Sequence, residues 1–317
     1  MARLISDIEN GRPHAQAAVR RLYPGGGRAH VVGVTGPPGC GKSSLVNEMA
    51  RAWRSRAGAP DLAIIAVDPT SPFSGGAILG DRIRMRDLHG DPGVFIRSMA
   101  SRGALGGRAG ATADVAAVLD ACGYGVILIE TVGAGQLDVE VSRVAHTVVL
   151  VEAPGLGDDV QAAKAGILEI ADVVAINKAD LGGADAAARA LQAALDLAAP
   201  EALAEAAEAA EAGAGRLAWR VPIVQASAVT REGVAELIAR IEQHGAYLRA
   251  SGEGARLLER ALERDIQARL GQLLLRRALQ QLPPDRLRQL ARSAAQRSLH
   301  PAEAAEQLAE LLGSRAR

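Results

Sequence analysis

Residues 31–45 run Val31-Val32-Gly33-Val34-Thr35-Gly36-Pro37-Pro38-Gly39-Cys40-Gly41-Lys42-Ser43-Ser44-Leu45. A short apolar, β-branched run leads into G-x-x-x-x-G-K-S, and a helical pattern over 44–52 follows. A strand, a glycine-rich loop and a helix in that order are the context in which this motif binds phosphate. Glycines let the backbone wrap an anion so that several N–H groups point inward, and the helix N-terminus adds its positive end. Lys42 is expected to reach the β- and γ-phosphates and Ser43 to offer its hydroxyl to Mg2+. Gly36, Pro37, Pro38, Gly39, Cys40, Gly41, Lys42, Ser43 and Ser44 are therefore candidate nucleotide contacts.

Working outward, apolar runs recur at 62–67, 94–97, 126–130, 147–152, 173–177 and 223–226, with helical patterns between most of them. Continuous apolar runs fit strands buried on both faces, and the alternation is the βαβ rhythm of a doubly wound α/β fold. The expected architecture is a mostly parallel central sheet flanked by helices, with a short helical extension over 1–28, the nucleotide domain over 29–248 and a longer helical extension over 249–317. The Ala/Glu-rich stretch 182–215 reads as two helices broken near Pro200. Leu258, Leu262, Ile266, Leu270 and Leu273 form one apolar stripe on a long helix. That stripe either covers its own chain or meets a second copy. Pro283 and Pro284 end the helix, and a last helix is expected to start at Pro301.

Asn177-Lys178-Ala179-Asp180 follows the sixth run and selects the base. An ionised carboxylate only accepts hydrogen bonds. Guanine offers two adjacent donors that Asp180 can bridge, and adenine offers neither, so the pattern predicts guanine. Lys178 can lie over the base and Asn177 can tie loops together. Ser227, Ala228 and Val229, after the last run, resemble the short loop whose backbone N–H meets the guanine carbonyl oxygen. GTP and GDP are thus the expected substrate and product.

The fourth apolar run ends Glu130-Thr131-Val132-Gly133-Ala134-Gly135-Gln136. Glu130 is a magnesium-side candidate, Gly133 a candidate donor to the γ-phosphate and Gln136 a candidate to orient the attacking water. Asp68, in Val67-Asp68-Pro69, and Asp81, in Gly80-Asp81-Arg82, are further magnesium-side candidates. Asp81 competes with a helix-cap explanation.

Composition narrows the class. The 36 basic and 36 acidic residues cancel, so no global pull toward nucleic acid or a membrane is implied. Cys40 and Cys122 form no metal-ligand spacing, and the six histidines are scattered. The polar N-terminus and the lack of a long apolar run lead to the expectation of a cytoplasmic protein. The chain writes arginine 33 times and lysine only at Lys42, Lys164 and Lys178, all inside motifs. A compact point charge on a flexible stem is a different tool from a planar fork.

Together the stretches VVGVTGPPGCGKSSL, IIAVDPTSPFSGGAILGDRIRM, FIRSMASRGALGG, GVILIETVGAGQ, EAPGLGDDVQAAKAGILEIADVVAINKAD and SAVTREGV resemble the MeaB/ArgK family, the methylmalonyl-CoA-mutase-associated GTPases of the SIMIBI class of P-loop proteins. The resemblance implies a GTPase that is slow alone and faster with a partner. It implies a chaperone of an adenosylcobalamin-dependent acyl-CoA mutase that gates cofactor loading, binds no cobalamin itself and dimerises through its C-terminal helices. The adenosyltransferase that supplies the cofactor is a second partner the resemblance allows. It also implies a third switch whose acid, amide and lysine fall on Asp158, Gln161 and Lys164. Family members often carry two adjacent lysines there, and this chain has Lys164-Ala165. The rival expectations are a GTPase of another metallocentre-assembly system, which would need Cys/His ligands, a P-loop protein kinase linked to transport, and a nucleotide-gated scaffold without turnover.

Overall fold

Each apolar run in the sequence forms a strand. β1 is His30–Thr35, β2 Leu62–Pro69, β3 Val94–Ser101, β4 Val126–Thr131, β5 Thr147–Glu152, β6 Val173–Ile176 and β7 Ile223–Gln225. The computed structural model describes residues 1–69, 85–88, 90–101, 107–131, 141–155, 168–198, 219–283 and 285–314. The seven strands make one sheet in the order β3-β2-β4-β1-β5-β6-β7, and every neighbouring pair is parallel. Parallel strands must be covered on both faces, which is why β4 and β5 are buried at every position.

Side-chain alternation along the strands sorts the core into two faces. On one face Val32, Val34, Leu62, Ile64, Leu128, Val149 and Val151 pack against Leu45, Val46, Met49 and Trp53 of α3 (Lys42–Arg54, following α1 and α2 below) and a further helix, Val234–Ser251. On the other, Val31, Ala63, Ile65, Ile127 and Ile129 meet α1 (Ala2–Glu9), α2 (Pro13–Leu22) and α4 (Gly107–Ala121) through Ile5, Ile8, Val19, Val115 and Leu119. A third cluster joins Leu150, Val174 and Ile176 to Leu191 of α5 (Ala184–Ala198). Truncating a fully buried member such as Leu128 to Ala would cost about 2–5 kcal/mol. The helix Val234–Ser251 is α6.

Two compact units divide the chain, Met1–Leu262 and Glu263–Arg317. The long helix α7 (Glu253–Gln281) is followed by α8 (Arg286–Ala295) and α9 (Pro301–Ser314). Within the second unit α8 and α9 pack together, with Leu290 buried and Arg286 donating to Gln307 Oε1 at 3.4 Å. Among the described residues, Leu258, Ile266, Leu270 and Leu273 of the apolar stripe on α7 are exposed, and the helix has no buried residue. Of the two helices expected in 182–215, α5 is the first; the second falls outside the described residues. Among the described residues no helix is long and apolar enough to cross a membrane.

The strand order sets the position of the site. Following β1, the chain crosses to β2 and β3, returns with β4 beside β1, and then builds β5, β6 and β7 on the other side. In parallel sheets of this kind ligands bind beyond the carboxyl ends of the strands, where the direction of winding reverses. Gly36–Ser43, Glu130 and Asn177–Asp180 all sit at those ends.

Candidate functional site

The loop after β1 is shaped by two glycines. Gly36 has φ of 141°, and a Cβ there would collide with the carbonyl oxygen of Val151 on β5. Gly41 has φ of 90°, caps α3, and a Cβ there would strike the Asn177 amide. Neither position accepts a side chain without moving backbone or the amide it faces. Lys42 and Ser43, the first two residues of α3, are almost fully buried. Lys42 Nζ donates to the carbonyls of Gly36 (2.8 Å) and Pro37 (2.9 Å), so its charge is held across the loop it belongs to. Cys40 is fully buried, and burial pushes its thiol above the ordinary range while Lys42 pulls the other way. It is a packing residue.

Ser43 Oγ donates to Glu130 Oε1, and Glu130 is 4% exposed at the end of β4. A hydroxyl and a carboxylate brought together beside a phosphate loop are two hard oxygen donors, the ligand type that suits Mg2+. These residues fit the ion. Asp68 lies at the carboxyl end of β2, two residues past Ala66, which pairs with Glu130. The side chain of Asp68, and Asp81, Gly133, Gln136, Asp158, Gln161 and Lys164 altogether, lie outside the described residues.

Asn177 is the hub of the base side. It is 1% exposed, its Nδ2 donates to Cys40 O (2.9 Å) and Gly41 O (3.3 Å), and its Oδ1 accepts from Ala228 N–H (3.1 Å). One amide thus joins the phosphate loop, the end of β6 and the loop after β7. Lys178 takes a left-handed backbone (φ of 61°) and reaches back to Gly39 O at 2.7 Å. Two of the three lysines therefore hold carbonyls of the same loop. Asp180 sits in a short 3-10 turn, Ala179–Leu181, and is exposed; Ala179 N–H donates to Ala226 O at 3.1 Å, which sets the turn against the end of β7.

The loop 227–229 is wound more tightly than its sequence suggests. Buried Ser227 accepts at Oγ from Val229 N–H (3.2 Å) and Thr230 N–H (3.1 Å). With Ala228 N–H given to Asn177, the amides of 228, 229 and 230 each have an acceptor inside the protein. A guanine carbonyl oxygen would have to share one of them.

Sequence reasoning missed the opposite end of the central strands, where β1 and β5 begin. Histidines far apart in the chain meet there, because β1 and β5 are neighbours and α6 packs below them. His30 and His146 stack with ring centroids 6.3 Å apart. Thr147 Oγ1 lies 2.7 Å from His30 Nε2 and 2.8 Å from His244 Nδ1, and His244 Nε2 is 3.5 Å from Asp172 Oδ1. A threonine hydroxyl has one proton to give. The arrangement that places a proton between His244 and the Asp172 carboxylate has His30 donating to Thr147 and Thr147 donating to His244. Burial lowers the pKa of His30 to about 3 and of His244 to about 4, and raises that of Asp172 to about 7. Among the described residues no group of three or more His, Cys, Asp or Glu could hold a metal ion.

Comparison with known proteins gives the family. The family model for the methylmalonyl-CoA mutase-associated GTPase MeaB matches residues 1–281. A chain named as a GTPase in Pyrococcus abyssi is 44% identical over 314 residues, 98% of this chain and 92% of its own length. The mouse mitochondrial methylmalonic aciduria type A homolog is 36% identical over 70% of this chain and 50% of its own. The solved structure of an LAO/AO transport system kinase shares the fold, with a TM-score of 0.65 at 23% identity over 98% of this chain and 92% of that one. A phosphate loop closed by Asn177, a Ser43–Glu130 pair and a family match over most of the chain lead to one assignment: the chain belongs to the MeaB family of GTPases.

Proposed function

We propose that this GTPase is a chaperone of an adenosylcobalamin-dependent acyl-CoA mutase, hydrolysing GTP to gate cofactor loading and protect the mutase. The observation that carries this reading is the family match across residues 1–281, which extends well beyond the nucleotide motifs into both helical extensions. The relation to the methylmalonic aciduria type A homolog supports the same partner class.

The chemistry assigned to the chain's own residues follows from their geometry. Backbone amides of the loop Gly36–Ser43 and the N-terminus of α3 would hold the phosphates. Lys42 would exchange its two carbonyl acceptors for β- and γ-phosphate oxygens. Ser43 and Glu130 would hold Mg2+, which when bound spreads the charge that develops on the transferred phosphoryl group. Asp180 would bridge the two guanine donors, with Lys178 alongside the base. Gly133 is assigned as a donor to the γ-phosphate, Gln136 to orienting water, and Asp68 and Asp81 to the magnesium side. The third switch, Asp158, Gln161 and Lys164, would bring a positive charge to the transition state when the mutase binds. The exposed apolar stripe on α7 supports dimerisation through the C-terminal helices.

The test is GTP turnover by the full chain with and without a purified adenosylcobalamin-dependent acyl-CoA mutase, with ATP as control. Slow GTP hydrolysis that rises severalfold with the mutase, and no ATP turnover, is the expected result. Turnover indifferent to every such mutase would remove the chaperone assignment and leave the GTPase.

A further inference from the structure

Arg231 is not glycine, yet its backbone is left-handed, with φ of 68°. An arginine there costs about 1 kcal/mol that glycine would not incur. It stands in the turn that closes the base-side loop. Its N–H donates to Ser227 O at 2.8 Å, and Ser227 N–H donates to Glu232 O at 3.0 Å. The turn is locked by backbone bonds, so the Arg231 side chain is not needed to close it.

Its side chain leaves the turn altogether. Nε pairs at 3.0 Å with Oε2 of Glu48, on α3, the helix whose first residues are Lys42 and Ser43. Glu48 is not a loose surface acid. Its side chain is 12% exposed, and Oε1 accepts from Arg51 at 3.3 Å and Asn47 at 3.4 Å. Arg231 is 61% exposed, so the pair adds little to stability, about 0–1 kcal/mol. What the pair fixes is a distance. On the proposed reading a nucleotide would lie between the phosphate helix and the base loop, and the two are joined on the inner side by Asn177. The Arg231–Glu48 pair joins them again on the outer side. Without it, the loop keeps Asn177 and the buried residues Ala226 and Val234 that flank it, but loses its outer tie to α3.

We propose that Arg231 is a positioning residue for guanine recognition, strapping the loop 227–229 to α3 through Glu48. This rests on the reading that Asp180 and 227–229 meet the base. Arg231 does not touch the nucleotide. It acts through the loop, so it should matter to the base and not to the phosphates.

The experiment measures Kd for GDP and for ADP on the full chain with Mg2+, by competition with a fluorescent GDP analogue, alongside the unfolding temperature. Arg231→Ala keeps the backbone demand and removes the strap. GDP is expected to weaken about twofold to fivefold, the effect of one partly exposed charge pair, while ADP is unmoved. Arg231→Gly relieves the backbone cost, and the same loss of GDP affinity with an unchanged or higher unfolding temperature separates positioning from stability. Arg231→Lys should recover most of the loss. Glu48→Gln should reproduce it, and the double variant Arg231→Ala/Glu48→Gln should lose no more than either single one. An unchanged GDP-to-ADP ratio in Arg231→Ala, equal weakening of both nucleotides, or additive losses in the double variant would overturn the proposal. A parent protein that fails to distinguish GDP from ADP would overturn the guanine reading, and the strap with it.

Discussion

Replacing Asn177 should damage the protein even without nucleotide, because everything Asn177 holds belongs to the chain. Its side chain is 1% exposed and makes two good hydrogen bonds, to Cys40 O at 2.9 Å and from Ala228 N–H at 3.1 Å, plus a longer one to Gly41 O at 3.3 Å. Each good bond is worth about 1 kcal/mol net, and a buried partner left alone costs about 1–3 kcal/mol. Asn177→Ala is therefore expected to lose about 2–4 kcal/mol. With a urea m-value of about 3 kcal/mol per M for a protein of this size, the midpoint should fall by about 1 M. Trp53 and Trp219 are the only tryptophans and both lie in the first compact unit, so their fluorescence follows that unit alone. Asn177→Asp sharpens the test. A carboxylate can still accept from Ala228 N–H but presents an oxygen to two carbonyls, so its loss should equal or exceed that of Ala. A midpoint shift below about 0.2 M in nucleotide-free protein, or an Asp variant as stable as the parent, would refute the argument that this clasp is made before nucleotide arrives.

Three further outcomes are expected. Asp120 accepts backbone N–H groups from Gly27, Arg28 (3.1 Å) and Ala29 (2.9 Å) just before β1, so Asp120→Ala should cost about 2–3 kcal/mol in urea unfolding without altering GDP affinity. Glu130→Gln should lower GTP turnover about 100-fold and raise the Mg2+ concentration needed for half-maximal rate, measured by phosphate release. The folded protein holds His30 and His244 neutral below their ordinary pKa of 6.5, so their contribution to stability is lost as pH falls from 6.5 toward about 4 for His244 and about 3 for His30. Asp172, whose folded pKa is raised to about 7, works the other way, costing most above pH 7 and least below 4. Asp172→Asn should thus raise the unfolding temperature at pH 8 and steepen its decline on acidification, as read by thermal scans at pH 8 and 5.

The sheet was legible because its strands are buried on both faces and so are written as unbroken β-branched runs. Thr147–Glu152 begins and ends where its letters suggest, while β2 and β3 run on through Pro69 and Ser101, past the point where apolarity stops, since backbone pairing there does not depend on side-chain type. The phosphate loop and N-K-x-D were legible because each is a local signal whose chemistry lies in consecutive residues. Asp120 was not, since its partners lie about ninety positions away and a carboxylate near a helix end is unremarkable by itself. The histidines read as scattered for the same reason: His30, His146 and His244 become neighbours only when β1 and β5 pair and α6 folds beneath them. Arg231 carried no signal because a left-handed arginine is invisible in sequence. The stripe on α7 was visible as periodicity, but periodicity does not say what faces it.

Asn177 also sets the order in which the molecule can become functional during its own synthesis. The bonds to Cys40 and Ala228 span 137 and 51 positions of chain. A nascent chain that has released only its phosphate loop has the letters of a nucleotide site and none of its closure, because the clasp waits for β6 and the loop after β7. Long-range closures of this kind form late. Guanine recognition as proposed needs that clasp, so it should wait until nearly the whole sheet has left the ribosome.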